Sequence, residues 1–111
     1  MANTLLRNAK SPAMSIANGQ TDSNAVSFDP YSFGFFIIPA AFTGATVSFL
    51  VSADGVTFTP LRNAANALIS YTVTPDNAYP FPDEVGAAMS IKLRSASAEG
   101  ATRTIVTSVK A

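Results

Sequence analysis

Apolar and polar positions alternate at a period of two through much of the chain, and side chains alternating along a strand point to opposite faces of a sheet. Val47, Phe49 and Val51 share one face of a strand over 47–52. Met89, Ile91 and Leu93 point one way while Ser90, Lys92 and Arg94 point the other, the pattern of a half-buried strand. Ile69, Tyr71 and Val73 alternate within 68–74, and Ile105, Thr107 and Val109 within 103–109. Shorter extended pieces are expected at 13–17 and 25–28. The run FGFFII at 33–38, stopped by Pro39, has no polar face and reads as a strand buried on both sides.

Turn chemistry separates these pieces. Polar clusters at 18–24 and 75–77, Asp29 before Pro30, Thr43 before Gly44 and the 98–100 segment all punctuate the chain. Asp54 before Gly55 is a strong hairpin signal, because glycine enters positive φ without steric cost. It predicts a tight reversal, with Val56, Phe58 and Leu61 returning beside 47–52 until Pro60 interrupts the pairing. The alanines within 63–67 are too few for a helix and read as a loop. Pro80 and Pro82 confine 79–83 to an edge or irregular segment presenting Tyr79 and Phe81. The sum is all-β: an antiparallel β-sandwich, jelly-roll-like, of about eight short strands. Phe35, Phe49, Phe58, Ile91 and Leu93 are the expected core.

A chain of 111 residues is one domain, since two halves of that size would each lack a sufficient core. The domain is expected over 13–111, with residues 1–12 as an extended N-terminal arm. Basic residues follow Leu5 and Leu6 in that arm, which is not the layout of a signal peptide. The longest apolar run falls far short of the roughly 20 residues of a membrane span. Only 13% of residues are charged and 48% are hydrophobic, which points to apolar surface covered by partners in an assembly.

Histidine and cysteine are absent, which removes the commonest general base, the commonest metal ligand and all thiolate chemistry. Asp83 and Glu84 are adjacent carboxylates, and neighbours along a strand diverge instead of converging as acid and base. With Asp76 they could offer oxygen ligands to calcium, yet the spacing of a calcium loop is missing and turn-forming carboxylates are the simpler reading. No catalytic residue, cofactor or metal site is therefore expected. Lys92 and Arg94 share an outward face that Arg103 could join from a paired strand. Seven basic against seven acidic residues give no surplus for a nucleic-acid groove, so that face is read as solvated or as meeting an acidic partner. Exposed tyrosines could serve sugar binding, and Tyr31, Tyr71 and Tyr79 are the candidates.

The order PAAFTG..VSF.VS.DGVTF.PL from Pro39 to Leu61, with ATRTIV near the C-terminus, resembles small β-sandwich structural proteins of tailed bacteriophages. The resemblance covers roughly residues 25–109. It implies a capsid decoration (cement) protein or a related head or neck component, located on the virion and made in the host cytoplasm. The expected partner is the major capsid protein or another virion protein, bound by a homo-oligomer, a trimer by preference, with no nucleic acid or membrane involved. Leu5 and Leu6 would anchor the arm on that partner. Arg7 and Lys10 would meet its acidic groups, and Lys92 and Arg94 complete the expected contact residues. A carbohydrate-binding or host-adhesion module, or a tail or neck subunit, is the alternative.

Overall fold

The computed structural model describes residues 9–110. Its longest strands sit at the centre of two antiparallel sheets. Arg103–Lys110 (β9) pairs on one side with Phe33–Ile37 (β3) and on the other with Met14–Ile16 (β1). Ala78–Pro80 (β7) closes this four-stranded sheet against β3. Thr46–Ser52 (β4) centres the second sheet. It pairs with Ser90–Ser95 (β8), which in turn holds Val26–Ser27 (β2). The other edge of β4 is shared by Thr59–Pro60 (β5) and Ser70–Thr72 (β6). A 3-10 helix, Asp83–Ala87, links β7 to β8.

The two sheets face each other across one core, so the protein is an all-β sandwich with nine strands among the described residues. Met14, Ile16, Ile105, Val109 and Phe36 come inward from one sheet, and Val26, Val47, Phe49, Ile91 and Leu93 from the other. Phe36 is the centre of an aromatic cluster. Its ring lies 5.0 Å from Phe81, 5.8 Å from Phe49, 6.0 Å from Tyr79 and 6.2 Å from Tyr71. Offset and edge-on rings at such spacings add to their area burial.

Several expectations are corrected. The 33–38 run is not buried on both faces: Phe36 and Ile38 are buried, while Phe33 is 47% and Phe35 41% exposed. In a sandwich each sheet has only one inner face, and alternation therefore turns Phe35 out of the core despite the unbroken apolar run. Phe81 is buried instead of presented, and Met89 is exposed because it precedes β8. Asp83 and Glu84 open the 3-10 helix and are not on a strand.

The reversal after β4 is also broader than expected. Pairing resumes only at Thr59 and Pro60, so residues 53–58 form a loop and Val56 is 82% exposed. Side chains hold this loop. Ser52 Oγ accepts from Gly55 N at 2.8 Å, and Asp54 Oδ1 accepts from Val56 N at 2.8 Å and Thr57 N at 2.9 Å. Those donors hold the Asp54 carboxyl below its ordinary pKa. Phe58 is thereby kept out of the core and lies under Lys92 Nζ, 4.5 Å from the ring centroid. Gly55 has φ +81°. Gly55→Val should cost about 1–3 kcal/mol, since a β-branched residue resists positive φ. Urea titration checks this, and an unchanged midpoint would mean that the loop can rebuild.

Of the expected arm, residues 1–8 lie outside the described residues. Lys10 exchanges backbone hydrogen bonds with Val109 at 2.8 Å each way, and Thr107 Oγ1 donates to the Pro12 carbonyl at 2.8 Å. Lys10 thus continues the register of β1 along the free edge of β9, past the break imposed by Pro12.

Candidate interaction surfaces

Glu99 is the most buried charged group among the described residues. It sits in the turn before β9, and its side chain is fully shielded from solvent. Four donors converge on its carboxylate: Thr43 N at 2.8 Å, Gly44 N at 3.1 Å, Ser95 Oγ at 2.7 Å and Arg103 Nε at 3.0 Å. Burial pushes its pKa up, but the combined donation from Thr43, Ser95, Arg103 and Gly44 outweighs it and leaves the carboxyl below its ordinary value. A Cβ at position 44 would collide with Ser95 Oγ, so only glycine lets this backbone reach the carboxylate. The cluster ties the start of β9, the end of β8 and the loop before β4 together. It is fully satisfied and closed, with the makeup of a structural joint.

The outer face of the five-stranded sheet carries Lys92 and Arg94. Arg94 makes a bidentate pair with Asp22, Nε to Oδ1 at 2.7 Å and Nη2 to Oδ2 at 3.1 Å. The pair is partly exposed and contributes at most about 1 kcal/mol. Hydrogen bonding from Arg94 holds the Asp22 carboxyl below its ordinary pKa. Beside it runs a groove of about 450 Å³, lined by Thr21, Thr46, Ser48 and Ser70 together with Leu68 and Arg94. Arg103 does not join Lys92 and Arg94: it lies on the other sheet, committed to Glu99. Lys10 is exposed at the edge of that same sheet, and Leu5, Leu6 and Arg7 lie outside the described residues.

Since Asp22 and Glu99 bind their protons more weakly folded than unfolded, their stabilisation is present above the ordinary carboxylate range. It is lost as pH falls through the lowered folded values. The melting temperature should hold from pH 7 to about 5 and drop below about pH 4, near the ordinary Asp and Glu values. Thermal melts from pH 7 to 2 check this, and a flat profile would contradict it.

The outer face of the four-stranded sheet is different in kind. Phe33, Phe35 and Ile37 of β3, Ala78 and Pro80 of β7, and Thr104, Val106 and Ser108 of β9 lie on it, and Val106 is 50% exposed. Lys110, at one end of β9, is the single charge carried by the outward positions of these strands.

The tyrosines do not form platforms. Tyr71 and Tyr79 are half-buried against Phe36, the Tyr79 hydroxyl accepts from Thr74 N at 2.8 Å, and Tyr31 packs edge-on against Phe28 at 6.0 Å. Asp76 sits in a turn at φ +66°, and among the described residues no group of three or more acidic, histidine or cysteine side chains could hold a metal ion. Among them, no helix is long and apolar enough to cross a membrane.

The geometry defines a β-sandwich with one closed ion-pair joint at Glu99, one partly exposed pair at Asp22 and two unlike outer faces. Its fold is similar to that in the crystal structure of SPBc2 prophage-derived protein YomS, with a TM-score of 0.63 over 98% of this chain and 100% of that one. The two sequences are 12% identical, so the likeness is one of fold. No known family model matches the chain. No curated protein matches its sequence.

Proposed function

We propose that the protein is a non-enzymatic structural component of a bacteriophage particle, a decoration (cement) protein that binds the outside of the head as a homo-oligomer. The observation that carries this is the end-to-end likeness in fold to a prophage-derived protein, covering both chains almost completely. The resemblance of the 39–61 stretch to phage sandwich proteins supports the same reading from the sequence side. The surfaces agree with it. Glu99 is engaged by Arg103 and Asp22 by Arg94, and the broad outer faces are the features that suit a role in assembly. A decoration protein acts by adding contacts between shell subunits, and many copies multiply a modest interface by avidity. The sugar-binding alternative loses its main support, because its three tyrosines pack against phenylalanines instead of standing free.

The test uses particles made without this protein. Purified protein should co-sediment with them at saturating, regular stoichiometry and raise the temperature at which they release DNA. Particles that bind no protein, or that bind it without any gain in heat resistance, would overturn the cement role.

A further inference from the structure

We infer that the open edge of β6 takes up an extended strand lent by a different protein, one with apolar residues at alternate positions and a basic residue at its end. This goes beyond the proposed function, and attachment to a head is not needed for it.

The pairing of β6 with β4 leaves main-chain groups open. Partners in an antiparallel ladder alternate between pairs that exchange hydrogen bonds and pairs that do not. Val73 N donates to the Ala45 carbonyl at 3.0 Å, and Val47 with Tyr71 is the next bonded pair in the same register. Tyr71 therefore turns its N–H and C=O toward β4, while Ser70 and Thr72, both exposed, turn theirs away. Two donors and two acceptors thus stand along one edge. An extended backbone matches them, because its own groups recur at every second residue. From Leu68 to Thr74 no proline or charge blunts this edge.

The other edge strands are guarded. Beside β1, the Asn24 side chain accepts from Ser15 N at 2.8 Å, and Asn24 N donates to the Ser15 carbonyl at 3.2 Å. Pro80 and Pro60 take the outward positions of β7 and β5, where each removes a donor. β2 is only Val26–Ser27, too short for a partner strand to follow.

The two sides of the β6 edge select the strand. Tyr71 points inward, and its ring lies 6.3 Å from that of Tyr79, both half-buried. Side chains added on that side would cover the two rings, so apolar residues fit there. Ser70 points outward into the groove that Ser48 and Leu68 also line, so the alternate positions take small polar residues. Burial, and then the charges of Glu84 and Asp83, push the Tyr71 phenol up, and both carboxylates therefore lie near the inner side of this edge. Neither has an ion-pair partner among the described residues, and a basic side chain at the end of the strand supplies one. The same carboxylates disfavour a second copy of β6. A two-fold axis at Tyr71 would bring Asp83 and Glu84 of both copies toward one another, like charge against like charge.

Amide exchange of the full chain, followed by NMR, tests this in solution. In the free protein the Ser70 and Thr72 amides should exchange fast beside a protected Tyr71 amide. A short synthetic peptide of alternating valine and threonine, with lysine at each end so that either strand direction presents one, is the probe. At about 1 mM it should slow exchange at Ser70 and Thr72 by about tenfold or more. The same peptide ended by glutamate should protect less. Thr72→Pro removes one outward donor without touching the bonds to β4. It should keep the wild-type circular dichroism and lose the protection at Ser70. Asp83→Lys combined with Glu84→Lys, both at exposed positions, should invert the preference between the two peptides. Amides at Ser70 and Thr72 that exchange slowly without peptide, or that the lysine peptide leaves unchanged, overturn the open edge. Protection that grows with protein concentration alone gives the edge to a second copy and overturns the lent strand. Equal protection by both peptides overturns the basic end. Binding to particles is read separately, so none of these results is confused with loss of attachment.

Discussion

Replacing Phe36 with alanine should cost the fold about 3–5 kcal/mol, the range for emptying a fully buried phenylalanine site. Phe36 is 0% exposed and holds four rings, those of Phe49, Phe81, Tyr71 and Tyr79, within 5.0–6.2 Å. The cavity would open between the two sheets, where strands from both sides resist collapse. The neighbour one position earlier provides the control. Phe35→Ala removes a side chain from the outer face, so on isolated monomer the change should fall within about 0.5–1 kcal/mol. Chemical denaturation of both variants reads the contrast. Equal losses would mean that the strand presents neither face distinctly to the core.

Glu99→Ala should be comparably damaging, for a different reason. The carboxylate is buried with four donors on it, and removing it strands two backbone N–H groups and Arg103 Nε, while Ser95 Oγ can still turn to the Ser97 carbonyl. Breaking a buried pair by deleting one partner costs about 3–5 kcal/mol, because the remaining charge loses its compensation. For a domain of this size the melting temperature should fall by about 15–25 °C. Glu99→Gln keeps the shape and some hydrogen bonding. It should be less severe at pH 7 and should flatten the drop in stability on acidification, since its group no longer titrates. A Glu99→Ala protein that melts within about 2 °C of wild type would show that Arg103 finds other partners at little cost.

The sandwich was legible in the chain wherever alternation was clean. Ile91 and Leu93 face the core as the pattern predicts, as do Ile105, Thr107 and Val109, and Met14 and Ile16. The failures have one physical origin: periodicity is informative only where the two faces differ in polarity. In FGFFII every position is apolar or glycine, so polarity does not distinguish the phenylalanines, and Phe36 occupies the core position expected of Phe35. The Asp54 and Gly55 signal marked a reversal correctly. The side-chain hydrogen bonds of Ser52 and Asp54 then widened it into a loop, carrying Phe58 onto the outer face.

The joints were not legible at all. Glu99 meets Thr43 and Gly44 across 56 and 55 positions, and Asp22 meets Arg94 across 72. Contacts that distant leave no local pattern, and a glutamate between alanine and glycine looks like any exposed turn residue. The apolar outer face was half legible. Low charge and high apolar content pointed to covered surface, but locating it required the pairing of β3 with β9.

The proposed place on a virion is tested most directly by electron microscopy of purified phage particles from cells that produce this chain, labelled with antibody against it. Label is expected over the outside of the head, repeated with the regularity of the shell lattice. Label confined to the neck or tail, or particles that carry none, would contradict it.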